Sequence, residues 1–290
     1  MTTPVAKSER SAITLLVLVA LTMAAFAANS ILNRVAVDIF DTDPFDFAAI
    51  RVLAGASMLS LLVALHAGRP ITLRSPMRVI GAMMLATYMV GFSFAYVELD
   101  AGIGALILFG VLQVVVFGWA VATGEKVPVS RWMGALIALV GLGVLLWPEG
   151  DAALPLISAL AMTLAGIGWA VYTLLGRSEA DALAATAGNF ILCGPITVLA
   201  MLVAGDASPP LGGAMAGIVS GAVTSGLGYA LWYRLVPKLP TTMAGIAQLS
   251  VPLIAIVAGT LFLDEAITWR LLMATAMVLG GIAMSLVASR

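Results

Sequence analysis

Asn29, Ser30, Gln113, Gln248 and Ser250 are polar side chains set inside long apolar runs. Amides and hydroxyls there either face a cavity, where they bind a solute, or tie one helix to another by hydrogen bonds. Aromatic residues form a second set in the same kind of setting: Tyr88, Phe92, Tyr96, Phe109, Trp119, Trp169, Tyr172, Tyr229 and Trp232. Rings around a cavity suit a ring-bearing or apolar solute through stacking and edge contacts. Trp132, Trp147, Trp269, Tyr96, Trp232 and Tyr233 fall near predicted helix ends, where an interfacial aromatic belt is the plainer reading. The expected binding set is Asn29, Ser30, Tyr88, Phe92, Phe109, Gln113, Trp169, Tyr172, Tyr229 and Gln248. Pro252 lacks an N–H, which leaves an acceptor free near Gln248, one turn back.

No carboxylate, lysine or arginine is expected clearly mid-span. Arg51 comes nearest, about two turns into an apolar run, where it snorkels outward or pairs with Asp46. The pocket is therefore expected to carry no fixed charge and to suit a neutral or zwitterionic solute. A carrier of sugar phosphates would need buried basic residues, and none is expected. One histidine, His66, and no buried acid argue against a membrane-embedded enzyme. The lone Cys193 excludes an intramolecular disulfide and fits a small buried hydrophobe. No cofactor or metal is expected, and a net charge of −1 gives nucleic acid no footing.

The elements that must position these residues follow from composition. The chain is 62% hydrophobic and 10% charged, with a mean hydropathy of +1.10. Soluble domains are about 45–50% apolar and about 25% charged. Runs of about 20 apolar residues recur along the chain, each long enough to cross the hydrocarbon core as a helix. Ten spans are predicted: 12–33, 45–66, 78–97, 102–123, 130–147, 154–176, 183–204, 212–234, 241–262 and 268–289. The first is too long for a signal-peptide core and is expected to remain as a span. With the N-terminus in the cytoplasm, Lys7, Arg10, Arg69, Arg74, Arg78, Lys126, Arg131, Arg177, Arg234, Lys238 and Arg290 fall inside. Only Arg34, Arg51 and Arg270 fall on the other side. The positive-inside rule selects this orientation, with both termini cytoplasmic.

A repeat divides the chain. An apolar helix, a turn holding a glutamate and a glycine-rich helix occur at 104–146 and again at 244–286, with Glu125 matching Glu265, 140 residues apart. Phe26-Ala27-Ala28-Asn29-Ser30 aligns with Trp169-Ala170-Val171-Tyr172-Thr173. Gly91-Phe92-Ser93-Phe94-Ala95 aligns with Gly226-Leu227-Gly228-Tyr229-Ala230. Five spans per half place the two halves in opposite senses, as in secondary transporters that bind solute near the midplane. The fold class expected is thus an all-α membrane protein of two inverted five-helix repeats, residues 1–150 and 151–290. Gly134-x3-Ala138 and Ala276-x3-Gly280 are small-residue faces that bring helices together, with each other or across a dimer.

Trp169-Ala170-x-Tyr172-Thr173 before Arg177, Val251-Pro252-Leu253, and Phe262-Leu263-Asp264-Glu265 with its counterpart Gly124-Glu125-Lys126 resemble the drug/metabolite transporter superfamily. The resemblance is to its EamA-type exporters, most closely to bacterial aromatic amino-acid exporters. Leu112 departs from it, standing where the first half would show a proline matching Pro252. The resemblance implies a secondary transporter of the bacterial inner membrane, with spans one, three, four, six, eight and nine around the cavity. It would export small neutral or zwitterionic metabolites, aromatic and other amino acids among them, by alternating access. Its partners would be the solute and the lipid bilayer, and a monomer is favoured. A multidrug or nucleoside exporter on the same fold is the alternative, and a channel is disfavoured by the inverted repeat.

Overall fold

Helix-stopping residues bracket the apolar runs, and the second, fourth and seventh helices begin within one residue of the predicted starts, whereas the first begins at Pro4, ahead of its predicted start at 12. Asp43 accepts from the backbone N–H groups of Phe45 (2.8 Å) and Asp46 (3.3 Å), with Pro44 in the first turn, so the second helix starts at Pro44. Asp181 caps the seventh helix in the same way through Ala184 N. The computed structural model describes residues 4–66, 71–124, 127–147, 155–177, 179–235, 239 and 247–287. Glu125 and the start of the ninth predicted span lie outside the described residues.

The helices are α1 (Pro4–Arg34, continued by a π-turn at Val35–Ile39), α2 (Pro44–Leu65), α3 (Pro76–Ala95), α4 (Ala101–Ala122) and α5 (Val129–Leu146). They continue with α6 (Leu156–Gly176), α7 (Ala182–Ala204), α8 (Leu211–Leu235), α9 (Ser250–Leu263) and α10 (Trp269–Val287). Helix α8 is interrupted by a π-widened stretch at Ser220–Leu227. Among the described residues eight helices, α1 to α8, are long and apolar enough to cross a membrane; α9 and α10 are shorter apolar helices there. The outer faces expose large apolar side chains such as Val203 (78%) and Leu211 (79%), a surface suited to lipid.

Small residues set how closely the helices approach. In α6, a Cβ on Gly168 would lie 2.7 Å from Met84 O and 3.0 Å from Tyr88 N of α3, so the two backbones touch at that level. The glycine faces of α5 and α10 meet each other: a Cβ on Gly141 would lie 2.8 Å from Met277 Cβ. Helix α2 packs on α7, α5 on α10 and α4 on α9. Helix α3 packs on α6 and α8 on α1; α4 packs on α6 and α9 on α1; α2 packs on α8 and α7 on α3. Exchanging each helix for the one five places on returns these nine pairs, whereas the contacts of α4 with α1, α5 and α10 have no such counterpart of comparable extent among the described residues.

Candidate functional site

The α3–α6 contact at Gly168 brings the neighbouring ring, Trp169, to 5.0 Å from Tyr88 between centroids. Trp169 also lies 5.3 Å from Tyr229 of α8 and 5.6 Å from Tyr172, which it stacks upon. These rings wall a narrow cavity of about 20 Å³, lined by Phe26, Asn29, Ser30, Tyr88, Phe92, Ala105, Leu108, Phe109, Trp169 and Tyr229. Five helices contribute: α1, α3 and α4 from the first half, α6 and α8 from the second. Most of the lining is buried, so the cavity is pinched nearly shut in this conformation.

Seven of the ten residues singled out from sequence therefore share one cavity: Asn29, Ser30, Tyr88, Phe92, Phe109, Trp169 and Tyr229. Tyr172 turns instead into a second crevice, with Arg78, Glu179, Thr186, Asn189 and Tyr233 among its lining residues. The stacked pair Trp169–Tyr172 is a partition between the two hollows. Gln113 and Gln248 are half-buried and lie outside both linings.

Asn29 both faces the cavity and ties two helices together. Its Oδ1 accepts hydrogen bonds from Ser220 (2.8 Å), Thr224 (2.6 Å) and Ser225 (3.3 Å), all on the π-widened stretch of α8. The widening matters to this contact, since π-turns present side chains that a regular helix turns elsewhere. Gly221 permits it: a Cβ there would lie 2.8 Å from the Ala54 Cβ of α2 and closer still to Arg51 O.

Arg51 corrects the sequence reading. It neither snorkels outward nor pairs with Asp46; it is fully buried, at 0% exposure. Asp46 accepts instead from Ala207 N (3.1 Å) and Ser208 N (3.2 Å). Arg51 Nε donates to Ser225 Oγ (3.2 Å) and Nη2 to Tyr88 Oη (3.0 Å). Its Cζ lies 5.4 Å from the Tyr88 ring centroid and 5.1 Å from that of Phe92, within cation–π range. The neighbourhood of the cavity thus carries a fixed positive charge. Arg78 is a second buried arginine, paired with Glu179 at 3.2 Å and bonded to Ala185 O at 3.0 Å. The expectation of no buried basic residue fails because burial depends on which helices close over a position, not on its distance from a helix start.

Tyr96 is a second correction. It is fully buried rather than part of an interfacial belt: its hydroxyl donates to Ser30 (2.8 Å), and its ring meets Phe92 edge-on at 4.7 Å. Trp232 and Tyr233 also pack against the core, whereas Trp132, Trp147 and Trp269 are exposed as a belt requires. Beyond Tyr96 lies a polar latch. Arg34 donates to Tyr96 O (3.0 Å) and Asp38 (3.1 Å) and approaches Glu265 (3.8 Å). Glu265 accepts from Ala101 N (2.7 Å) at the start of α4, where the helix dipole favours an anion. Desolvation by burial raises the Glu265 pKa, against the lowering pull of its backbone hydrogen bonds and Arg34. Asp100 is raised by desolvation too.

The comparisons agree with this architecture. Residues 156–287 match the model of the EamA-like transporter family. A Pseudomonas aeruginosa protein is 43% identical over 272 residues, covering 93% of this chain and 94% of its own. An uncharacterized transporter of Archaeoglobus fulgidus is 24% identical, covering 82% of this chain and 87% of its own. A third relative, an uncharacterized transporter of Bacillus subtilis, is also 24% identical, covering 78% of each. A solved crystal structure of 19% identity superposes with a TM-score of 0.68 over 94% of this chain and 98% of its own, which shows a shared fold. Family match, relatives and fold point the same way, and the chain belongs to the EamA-like transporter family of the drug/metabolite transporter superfamily.

Proposed function

We propose that the protein is a secondary transporter that exports small neutral or zwitterionic metabolites, aromatic and other amino acids among them, across the bacterial inner membrane. The observation that carries this reading is the closed aromatic and amide-lined cavity built jointly from α1, α3, α4, α6 and α8. A cavity between two halves that is shut in one conformation serves alternating access, in which the halves rock about a central site. The nine helix pairs that return on exchanging the halves support a repeat, 1–150 against 151–290; five spans in each half would make it inverted, with both termini cytoplasmic by the distribution of basic residues. The family match to 156–287, about one such half, supports the same division. In this frame the Arg34–Glu265 latch closes the outer face, and the Tyr172–Arg78 crevice leads inward from the Trp169 partition.

The test is counterflow in liposomes holding the purified full chain, with a panel of labelled amino acids, nucleosides and cationic dyes. Accumulation of aromatic amino acids above empty liposomes is the expected result. Movement of nucleosides or dyes without amino acids would favour the multidrug reading, and ion-channel currents would overturn transport altogether.

A further inference from the structure

We propose that Arg51 is the anchor for a carboxylate on the transported molecule, which narrows the substrates to small molecules bearing one carboxylate, amino acids among them. The inference rests on the central cavity being the transport site and adds a requirement that the cavity lining alone does not impose.

Arg51 is unlike the other two arginines drawn into the bundle. Arg34 has Asp38 and Glu265 within 4.0 Å, and Arg78 has Glu179. Among the described residues no carboxylate stands within that distance of Arg51, and its buried Nη1 has no hydrogen-bond partner. A guanidinium cannot shed its proton to escape this setting. An unpaired charge at membrane depth is costly, and such residues mark solute paths.

The position supplies the rest. Tyr88 and Phe92 line the cavity, and the Arg51 guanidinium lies against both rings on its way to Ser225. A carboxylate entering between these rings takes the Tyr88 hydroxyl's place on Nη2 and meets the unpartnered Nη1 beside it. Two parallel N–H···O bonds of that kind are the preferred guanidinium–carboxylate geometry. One guanidinium balances one negative charge. A phosphate dianion would leave a net charge among aromatic walls, so the charge count selects a carboxylate. The rest of the solute, apolar or aromatic, would lie against Trp169, Phe109 and Tyr229.

The experiment compares three probes on the purified full chain: 3-phenylpropionate, L-phenylalanine and L-phenylalaninamide. Binding is read by thermal unfolding and by inhibition of counterflow. The expected wild-type result is that both acids bind and the amide binds roughly ten- to a hundredfold more weakly, the loss of a charge-assisted hydrogen bond. Arg51→Met keeps volume and removes the charge. It should keep its unfolding temperature, because losing an unpaired buried charge does not destabilise, and it should lose the preference for acids. Equal binding of acid and amide by the wild type, or an Arg51→Met protein that still prefers acids, would overturn the anchor. If those equally bound probes are lost in Trp169→Ala, the cavity reading survives without the anchor. No binding of any probe would remove the cavity as a site, and the anchor with it.

Discussion

Replacing Asn29 with Asp puts a built-in carboxylate one hydroxyl away from Arg51. Asn29 Oδ1 and Arg51 Nε share Ser225 Oγ, at 3.3 Å and 3.2 Å, so the two groups are separated by at most about 6.5 Å. The same hydroxyls of Ser220, Thr224 and Ser225 that serve the amide would solvate the carboxylate. At an effective dielectric constant of about 20 and that separation, a unit charge pair is worth about 2.5 kcal/mol. If Arg51 attracts the carboxylate of a solute, an internal anion offsets that attraction and adds repulsion of its own. Affinity for 3-phenylpropionate should then fall by somewhat less than two orders of magnitude. Affinity for L-phenylalaninamide, whose ammonium group the new anion attracts, should not fall. Isothermal titration of the purified protein measures both, and Asn29→Ala supplies the control, since it removes the amide without adding charge. Equal losses for the acid in Asn29→Asp and Asn29→Ala would refute the electrostatic argument, as would wild-type affinity in Asn29→Asp.

Other perturbations probe the remaining links. Trp169→Ala removes three ring contacts, each worth about 0.5–1.5 kcal/mol beyond area; it should lower counterflow at least tenfold while the protein still inserts, and unchanged rates would take Trp169 out of the site. Gly168→Ala should cost about 1–3 kcal/mol by forcing α6 off α3, whereas Gly118→Ala, which meets nothing within 4 Å, should be nearly neutral on the same thermal-unfolding scale. Glu265 titrates above its ordinary range because burial disfavours its charged form, so its contribution to stability is fully present below the unfolded pKa and lost as pH rises through the folded one. Acidification across that window should raise the unfolding temperature of the wild type more than that of Glu265→Gln; parallel pH profiles would show that this carboxyl is not the source.

Helix positions were legible because lipid demands length and apolarity, and because stop signals such as Asp43-Pro44 and Asp181 act locally. The predicted starts at 45, 102 and 183 stand one residue from the observed Pro44, Ala101 and Ala182. Seven cavity residues were legible for a related reason: an amide or ring inside an apolar helix has few tolerable places other than a cavity or a partner helix. Arg51 was not legible in that way. Its place as the eighth residue of α2 puts it about 10 Å along the axis, a depth from which a long side chain can reach an interface if nothing covers it. What covers it is α8, 174 residues on, brought close by Gly221 and turned by the π-widening. Tyr96 escaped for the same reason: it stands at a helix end, but Ser30 and Ala101 close over it. Both misreadings concern non-local burial, which periodicity along one helix does not encode.

The lone guanidinium of Arg51 also makes the empty carrier and the loaded one differ electrically. Holding a monoanion, the central site is neutral and feels no pull from the transmembrane voltage; empty, it returns with a charge of about +1, and about 2.3 kcal/mol per 100 mV acts on a full crossing of the field. An interior-negative potential would then drive the reset of an outward-facing empty carrier, so that the cell's resting voltage, rather than a second ion, powers removal of the acid. Transport currents on supported membranes that showed no dependence on voltage for 3-phenylpropionate would contradict this coupling.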